Sequence, residues 1–484
     1  MLLKSALSNG FSYKCKRMEI KLPYDKKSAT NIFEYSKGLL GKTLREFVWD
    51  GYKPMEGKGR LGQMVENIYF FLETNNDPRP DFPEAGMDLK CTPLKKSKQS
   101  DYLIKERLSC DMINYCEIVK VDFEHSPFYI KCKLMLIIFY LYQKGCDYLD
   151  MKYIFSVLWK LPEKDLLIIR QDYEIIIDKI NQGKAHELSE GDTMYLGACR
   201  KGQKGESLMT QPFSKEGAPR RGFCLKMAYM RTVLEYVLKS GKTAVTNIPG
   251  IESELVSKSA LRKHHFDEIL LERFKPYLNK HFNKIAQLKN VDISNNPKNK
   301  FAMIANAIAA SKKCSNVNRS EEFLKAGITM KTIRVEANGN IKEAMSFENI
   351  DYMEVAECDD WLESRLYELF SSRFMFVVFK EQHKDEKDYV LDDVFFWTMP
   401  QQDLEWAEKY WDHIRDLVLA GKISEEFWWK GKDKKKFHVR PKAQKAKDLS
   451  PTPDGKGAKK FCYWFNNEYV KEIINKRQQE RTNG

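Results

Sequence analysis

Long apolar runs are missing from this sequence. The longest, Leu134-Met-Leu-Ile-Ile-Phe-Tyr-Leu-Tyr142, falls far short of the roughly 20 residues that cross a bilayer. The first ten residues, Met1 to Gly10, lack the apolar stretch of a secretory signal. No Cys-x-x-Cys pair occurs, and the eleven cysteines are scattered and odd in number. That usage fits reduced thiols better than disulfides or zinc. These absences together predict a soluble chain in the cytoplasm. An apolar share of 43% argues against disorder, and 484 residues are too many for one core. The net charge of +13 favours a polyanionic partner, although many basic proteins bind no nucleic acid.

The chain resembles itself. Trp159-Lys-Leu-Pro-Glu-Lys-Asp165 and Trp397-Thr-Met-Pro-Gln-Gln-Asp403 share W-x-x-P-x-x-D. The match runs on without a gap to Gly183-Lys184 and Gly421-Lys422, and each segment reads as one amphipathic helix closed by glycine. Upstream, Met64-Val-Glu66-Asn67 matches Met303-Ile-Ala305-Asn306. Asp81-Phe-Pro-Glu-Ala-Gly86-Met-Asp88-Leu-Lys90 matches Glu322-Phe-Leu-Lys-Ala-Gly327-Ile-Thr329-Met-Lys331. Lys133–Phe139 matches Arg373–Phe379, a buried strand by its apolar continuity. These matches keep one order at shifts of 238 to 241 residues, which chance does not give. The expected organisation is a domain over 1–250 and a second over 263–484, joined at the turn-rich Thr246-Asn-Ile-Pro-Gly250. Short strands mixed with long helices predict an α/β, mixed α+β class. The lysine-dense stretch Lys430–Lys460 reads as a partly mobile loop.

Metal-assisted phosphodiester hydrolysis needs carboxylates to hold a divalent cation and a group to orient water. Asp88 and Lys90, two apart on a predicted strand, point to one face, and Asp81 can close the site from the side. D-x-K alone is weak, because exposed strand edges produce it constantly. Glu66 strengthens it: Met64–Leu72 reads as a helix apolar on nearly every side, where a glutamate needs a cation or a metal. A structural ion pair with an arginine would satisfy it equally. The repeat acts as an internal control. Glu66 becomes Ala305, Asp88 becomes Thr329, Asp81 is loosely matched by Glu322, and Lys131 becomes Ser371, while surrounding apolar and turn residues persist.

Glu66, Asp81 and Asp88-Leu89-Lys90, embedded in D-F-P-E-A-G-M-D-L-K-C-T-P, resemble the PD-(D/E)xK nucleases, and in particular the MutH-like endonucleases. The resemblance extends through Phe123-Glu124…Lys131, Gln171–Glu174…Gly183 and Gly222–Lys226. The duplicated layout is similar to that of the larger GATC-cutting type II restriction endonucleases over nearly the whole length. It implies two tandem MutH-like folds, the second catalytically degenerate. It further implies Mg²⁺, replaceable by Mn²⁺, held by Asp81, Asp88 and the Leu89 carbonyl. Lys90 would position water, Glu66 would support the site, and Lys131 would lie near the scissile phosphate. Asp88 stands where such relatives usually have Glu. Read without the family, Lys131 is equally a solvated lysine at a strand end.

Base reading in the major groove needs Arg, Lys, Asn or Gln on a firm loop. The first domain offers Arg200, Lys201, Arg220, Arg221 and Lys226; the second offers His438, Arg440 and Lys442, with Lys434, Lys435, Lys436 and Lys445 around them. Arg440-Pro-Lys442-Ala443 resembles the MutH recognition loop, although contact with phosphate alone would also use such residues. The expected function is a Mg²⁺-dependent restriction endonuclease on double-stranded DNA with a GATC-like site. Its second domain would hold an effector copy of that site. The protein is expected to be a monomer that dimerises or loops on two DNA sites, with a cognate DNA methyltransferase alongside it. The alternatives are a mismatch-repair nicking enzyme and a DNA-binding regulator with a dead nuclease fold.

Overall fold

In the computed structural model the described residues are 22–49, 52, 60–73, 78–96, 102–202, 207–241, 243–245, 253–384, 387–433, 435–442 and 448–483. The chain divides into two compact units, Met1–His186 with Tyr195–Pro249 and Glu187–Met194 with Gly250–Gly484. The second unit thus takes in 187–194 and starts before 263. Thr246–Gly250, Lys434, Ala443 and Lys445 lie outside the described residues.

The first unit is built on strands β1 (Asp88–Lys95), β2 (Leu103–Ile104), β3 (Leu108–Met112), β4 (Leu134–Leu141), β5 (Lys152–Lys160), β6 (Leu196–Arg200), β7 (Arg221–Leu225) and β8 (Ala244–Val245). One sheet has the order β2-β1-β4-β5-β8 and a second the order β3-β7-β6. β4 runs parallel to β1 and antiparallel to β5. Covered by neighbours on both sides, it reads Leu-Met-Leu-Ile-Ile-Phe-Tyr-Leu with six consecutive buried residues. The helix Glu163–Asn181 starts at Pro162, and Gly183 (φ +71°) turns the chain after it. Its Asp165 is buried and accepts the Tyr229 hydroxyl at 2.9 Å, tying it to the helix Met227–Ser240.

The second unit repeats this plan with β9 (Thr329–Val335), β10 (Met345–Asn349), β11 (Arg373–Glu381), β12 (Tyr389–Thr398), β13 (Phe437–Pro441), β14 (Leu449–Ser450), β15 (Ala458–Lys459) and β16 (Phe461–Phe465). β12-β11-β9 mirrors β5-β4-β1, and β10-β16-β13 mirrors β3-β7-β6. The helix Gln401–Leu419 starts at Pro400 and is followed by Gly421 at φ +67°. Asp403 accepts the Tyr469 hydroxyl at 2.7 Å, repeating the Asp165–Tyr229 lock.

Strand pairing corrects the alignment of the two halves. Met135 pairs with Asp88 on one side and Trp159 on the other. Phe374 pairs with Thr329 and Trp397 in the same way. Met135 therefore corresponds to Phe374, one residue away from the match of Lys133–Phe139 with Arg373–Phe379. The preceding helices, Pro127–Cys132 and Arg365–Ser371, are capped by Ser126 and Ser364, whose hydroxyls both donate at 2.7 Å to the carbonyls of Phe123 and Trp361. Counting from these caps, Lys131 corresponds to Leu369 and not to Ser371. Uninterrupted apolar strands carry no mark of register, which is why the sequence left it one residue out.

Candidate active site

The helix carrying Glu66 is Arg60–Ile68, which starts and ends four residues before the expected Met64–Leu72, and buries Leu61, Met64, Val65 and Ile68 along one stripe. It ends before Phe71, which has φ +57°. Glu66 sits on the flank of that stripe. Among the described residues its carboxylate makes no hydrogen bond or ion pair. Burial, then Asp88, raise its pKa, while Lys90 and Lys131 pull the other way.

Asp81 is brought to β1 by a tight loop. Phe82 and Met87 exchange backbone hydrogen bonds of 2.9 and 3.2 Å, and Gly86 takes φ +61° between them. The seven residues from Asp81 to Asp88 thus fold back on themselves. The Asp81 amide donates to Asp88 Oδ1 at 3.1 Å, and Asp81 Oδ2 accepts from the Leu89 amide at 2.9 Å. Asp88, 2% exposed, meets Lys90 Nζ at 2.5 Å from its Oδ2. Lys90 Nζ also donates to the Cys110 carbonyl at 3.1 Å. Cys110 lies where the β3–β7 register slips, an irregularity that turns its carbonyl away from the ladder. Lys131 Nζ stands 3.3 Å from Asp111 Oδ1.

Asp81, Asp88, Lys90, Glu66 and Lys131 therefore share one site. Burial, then Asp88 and Glu66, push Asp81 up to about 7, against the opposing effects of the Leu89 amide and Lys90. Burial disfavours the Lys90 ammonium, but Asp88, Cys132 and Cys110 override it, and its pKa is raised. Lys90 consequently stays protonated at neutral pH. As an ammonium it has donors that water or a phosphate oxygen can use.

A hard divalent cation fits this donor set. The Asp81 and Asp88 carboxylates and the Leu89 carbonyl are all oxygen, and a cation relieves the repulsion that raises Asp81. Among the described residues no group of three or more His, Cys, Asp or Glu is arranged to hold a metal, and the set here has two carboxylates adjoining a carbonyl.

The second unit lacks every acid of this set. Ala305 is buried on the helix Lys300–Ala309, and Thr329 opens β9. The counterpart of Asp81 is not Glu322, which is buried and accepts the Leu255 and Val256 amides at 3.0–3.1 Å. It is Asn318, whose Oδ1 accepts from the Met330 amide at 2.7 Å, the bond that Asp81 makes with Leu89. Only Lys90 has a kept counterpart, Lys331.

The groove-reading candidates separate by burial. Arg200 ends β6, Lys201 follows it with its amide donating to the Arg220 carbonyl at 2.8 Å, and Arg220 is exposed. Arg221 is 4% exposed, and its guanidinium donates to the Ala198 carbonyl at 2.8 Å. Lys226 is buried at the start of the helix Met227–Ser240. Neither Arg221 nor Lys226 is placed to reach a groove: Arg221 opens β7, which is buried along its whole length, and Lys226 caps the helix that follows it. His438 is likewise buried, stacked on Trp464, with both ring nitrogens unpartnered; burial and Arg440 lower its pKa to about 4. Arg440 is exposed over the Trp464 ring at 5.2 Å, a cation–π contact that fixes its direction. Cys110, Asp111 and Asn318 escaped the sequence reading because nothing local distinguishes them.

Against known proteins, the family profile "DNA mismatch repair enzyme MutH" matches residues 70–172 and again 312–409, once in each unit. The type II restriction enzyme Sau3AI of Staphylococcus aureus is 31% identical over 494 residues, covering 92% of this chain and 97% of that protein. The DNA mismatch repair protein MutH of Buchnera aphidicola subsp. Baizongia pistaciae is 25% identical over 163 residues, 33% of this chain and 73% of its own length. That of Shewanella woodyi is 27% identical over 184 residues, 37% and 76%. The chain belongs to the MutH-like endonuclease family, as two tandem MutH-like folds. Within it, the chain is a DNA endonuclease of the type II restriction class. Among the described residues no helix is long and apolar enough to cross a membrane.

Proposed function

We propose that the chain is a Mg²⁺-dependent type II restriction endonuclease that cleaves double-stranded DNA at a GATC-like site. The first unit hydrolyses the phosphodiester, and the second binds another copy of the site without cutting. The observation that carries this reading is the convergence of Asp81, Asp88 and Lys90 beside Glu66, set against Asn318, Thr329 and Ala305 at the corresponding positions. Asp81, Asp88 and the Leu89 carbonyl would hold Mg²⁺, with Mn²⁺ able to replace it. The metal would supply Lewis-acid activation of water and phosphate. Lys90, kept protonated, orients the attacking water or a phosphate oxygen. Glu66 lies close enough to Asp88 and Lys90 for both to act on its carboxyl group. Lys131, neutralised by Asp111, is free to turn toward a scissile phosphate when DNA displaces that partner.

Arg200, Lys201 and Arg220 are the candidates for base or phosphate contact in the first unit; Arg440 and Lys442 are those of the second. A restriction function implies a cognate DNA methyltransferase that protects the host. The test is digestion of plasmids carrying one or two target sites, in Mg²⁺ and in EDTA, with the ends mapped. Linear products in Mg²⁺, none in EDTA, and faster cutting of the two-site plasmid are expected. Open circles alone would favour a nicking enzyme, and cleavage undiminished by EDTA would exclude the site. Equal rates on both plasmids, without rescue by a short duplex in trans, would exclude the effector role.

A further inference from the structure

Lys331 keeps the strand position of Lys90, two residues into β9 from Thr329, in surroundings that have lost their negative charge. Its Nζ donates to the Ser346 carbonyl at 2.8 Å and lies over the Phe347 ring at 5.1 Å. Lys442 reaches the same spot: its Nζ donates to the Phe347 carbonyl at 2.8 Å. Lys442 is exposed as a residue, whereas Lys331 is only partly so. Ala305, Asn318 and Thr329 carry no charge, and among the described residues neither lysine has an ion-pair partner.

A buried ammonium without a counter-ion is costly, and a second beside it adds repulsion. Burial and Lys442 together lower Lys331 to about 8. Each ammonium has three donors and spends one on a carbonyl, with Lys442 also bonded to the Cys462 thiol, which still leaves donors for an incoming acceptor. An apolar residue in place of Lys331 would pack the strand at lower cost. The retained pair makes physical sense when an anion arrives from outside.

We infer that Lys331 and Lys442 bind a phosphodiester of DNA directly, so that the second unit grips DNA without a metal. The inference rests on the reading of the second unit as a DNA-binding site and adds its chemistry. In the first unit the same strand position is surrounded by Glu66, Asp81 and Asp88, which repel phosphate until a cation neutralises them. The two units thereby differ in their demand for metal. The sequence pattern of the retained lysine is the same in both, but its partners are reversed in sign.

The test titrates the full chain with a short duplex carrying the mapped site, first in EDTA and then in Ca²⁺, and counts bound duplexes by mass. One duplex per chain in EDTA and two in Ca²⁺ are expected. Lys331→Met and Lys442→Met should each weaken the EDTA-bound duplex roughly 10- to 100-fold, the loss of one charged hydrogen bond. The slope of log affinity against log salt should fall by about one. Neutral methylphosphonates, placed at one phosphate after another, should weaken wild-type binding at one position and leave Lys331→Met indifferent there, which needs no folded variant to show the first effect. EDTA binding untouched by both lysine substitutions and by every methylphosphonate overturns the inference while the second-site reading stands. A chain that takes no more than one duplex under any condition overturns that reading, and the inference with it.

Discussion

Asp81→Asn removes one negative charge from a place where Glu66, Asp81 and Asp88 crowd together around the single ammonium of Lys90, with Lys131 nearby. Burial, Asp88 and Glu66 push Asp81 up to about 7 from an ordinary 3.8. The folded protein therefore keeps a proton that the unfolded chain has released. Between about pH 4 and pH 7 the native state binds more protons, so metal-free stability falls as pH rises through that window and stays low above it. Each tenfold difference in proton affinity is about 1.4 kcal/mol, which makes the full penalty about 4 kcal/mol. The expected gain for Asp81→Asn at pH 8 in EDTA is about 2–4 kcal/mol. The amide keeps the hydrogen bond to Leu89, as Asn318 does with Met330 in the second unit.

For a domain of this size the gain corresponds to a rise on the order of 5–10 °C in the melting temperature of the first unit. Thermal unfolding in EDTA at pH 8 and pH 5 measures it, and the gain at pH 5 should be less than half that at pH 8. Saturating Mg²⁺ should stabilise the wild type and not the variant, which should be unable to cleave. A variant less stable at pH 8, or a gain equal at both pH values, would refute the electrostatic argument.

The remaining predictions concern single side chains. Lys90→Met should lower plasmid cleavage roughly 100-fold or more while gel-shift affinity for DNA stays within a few-fold, since one oriented donor contributes that much to a rate; activity within tenfold of wild type would remove Lys90 from the chemistry. Asp88→Glu should keep partial cleavage where Asp88→Ala has none, and equal inactivity would show that the reach of the carboxylate is tightly set. Tyr229→Phe removes one donor from the buried Asp165 and should cost roughly 1–3 kcal/mol in unfolding free energy, with Tyr469→Phe costing the second unit a similar amount. Arg440→Ala should weaken binding at the second site by roughly 1–3 kcal/mol if its guanidinium reads a base, and should erase the advantage of a two-site plasmid.

The duplication and the site's membership were legible because both are local patterns. W-x-x-P-x-x-D marks a helix start by its proline, and the glycines at 183 and 421 mark where each helix is left behind. Asp88 and Lys90 followed from the two-residue period of a strand. Long-range facts were not available. The register of β11 against β9 is set by pairing across the sheet, and the equivalence of Lys131 with Leu369 rests on the serine caps of the two preceding helices, so both needed the structure. Asn318 lies outside the gapless match that paired Asp81 with Glu322, and only its hydrogen bond to Met330 identifies it. Arg221 and Lys226 carry charge in sequence and lie buried in the fold, because β7 is covered at every position and Lys226 caps the helix packed after it.

The exchange of Asp81 for Asn318 separates folding from chemistry. The loop that presents this side chain is held by an oxygen that either residue supplies, and the backbone does not register which one is present. A designer can therefore treat the second unit as a blank scaffold already cut to size. Asn318→Asp, Thr329→Asp and Ala305→Glu would write three acids into a frame that carries its lysine in place. A cutter built that way would have two blades on one handle, and its two incisions could be timed separately by altering either set alone.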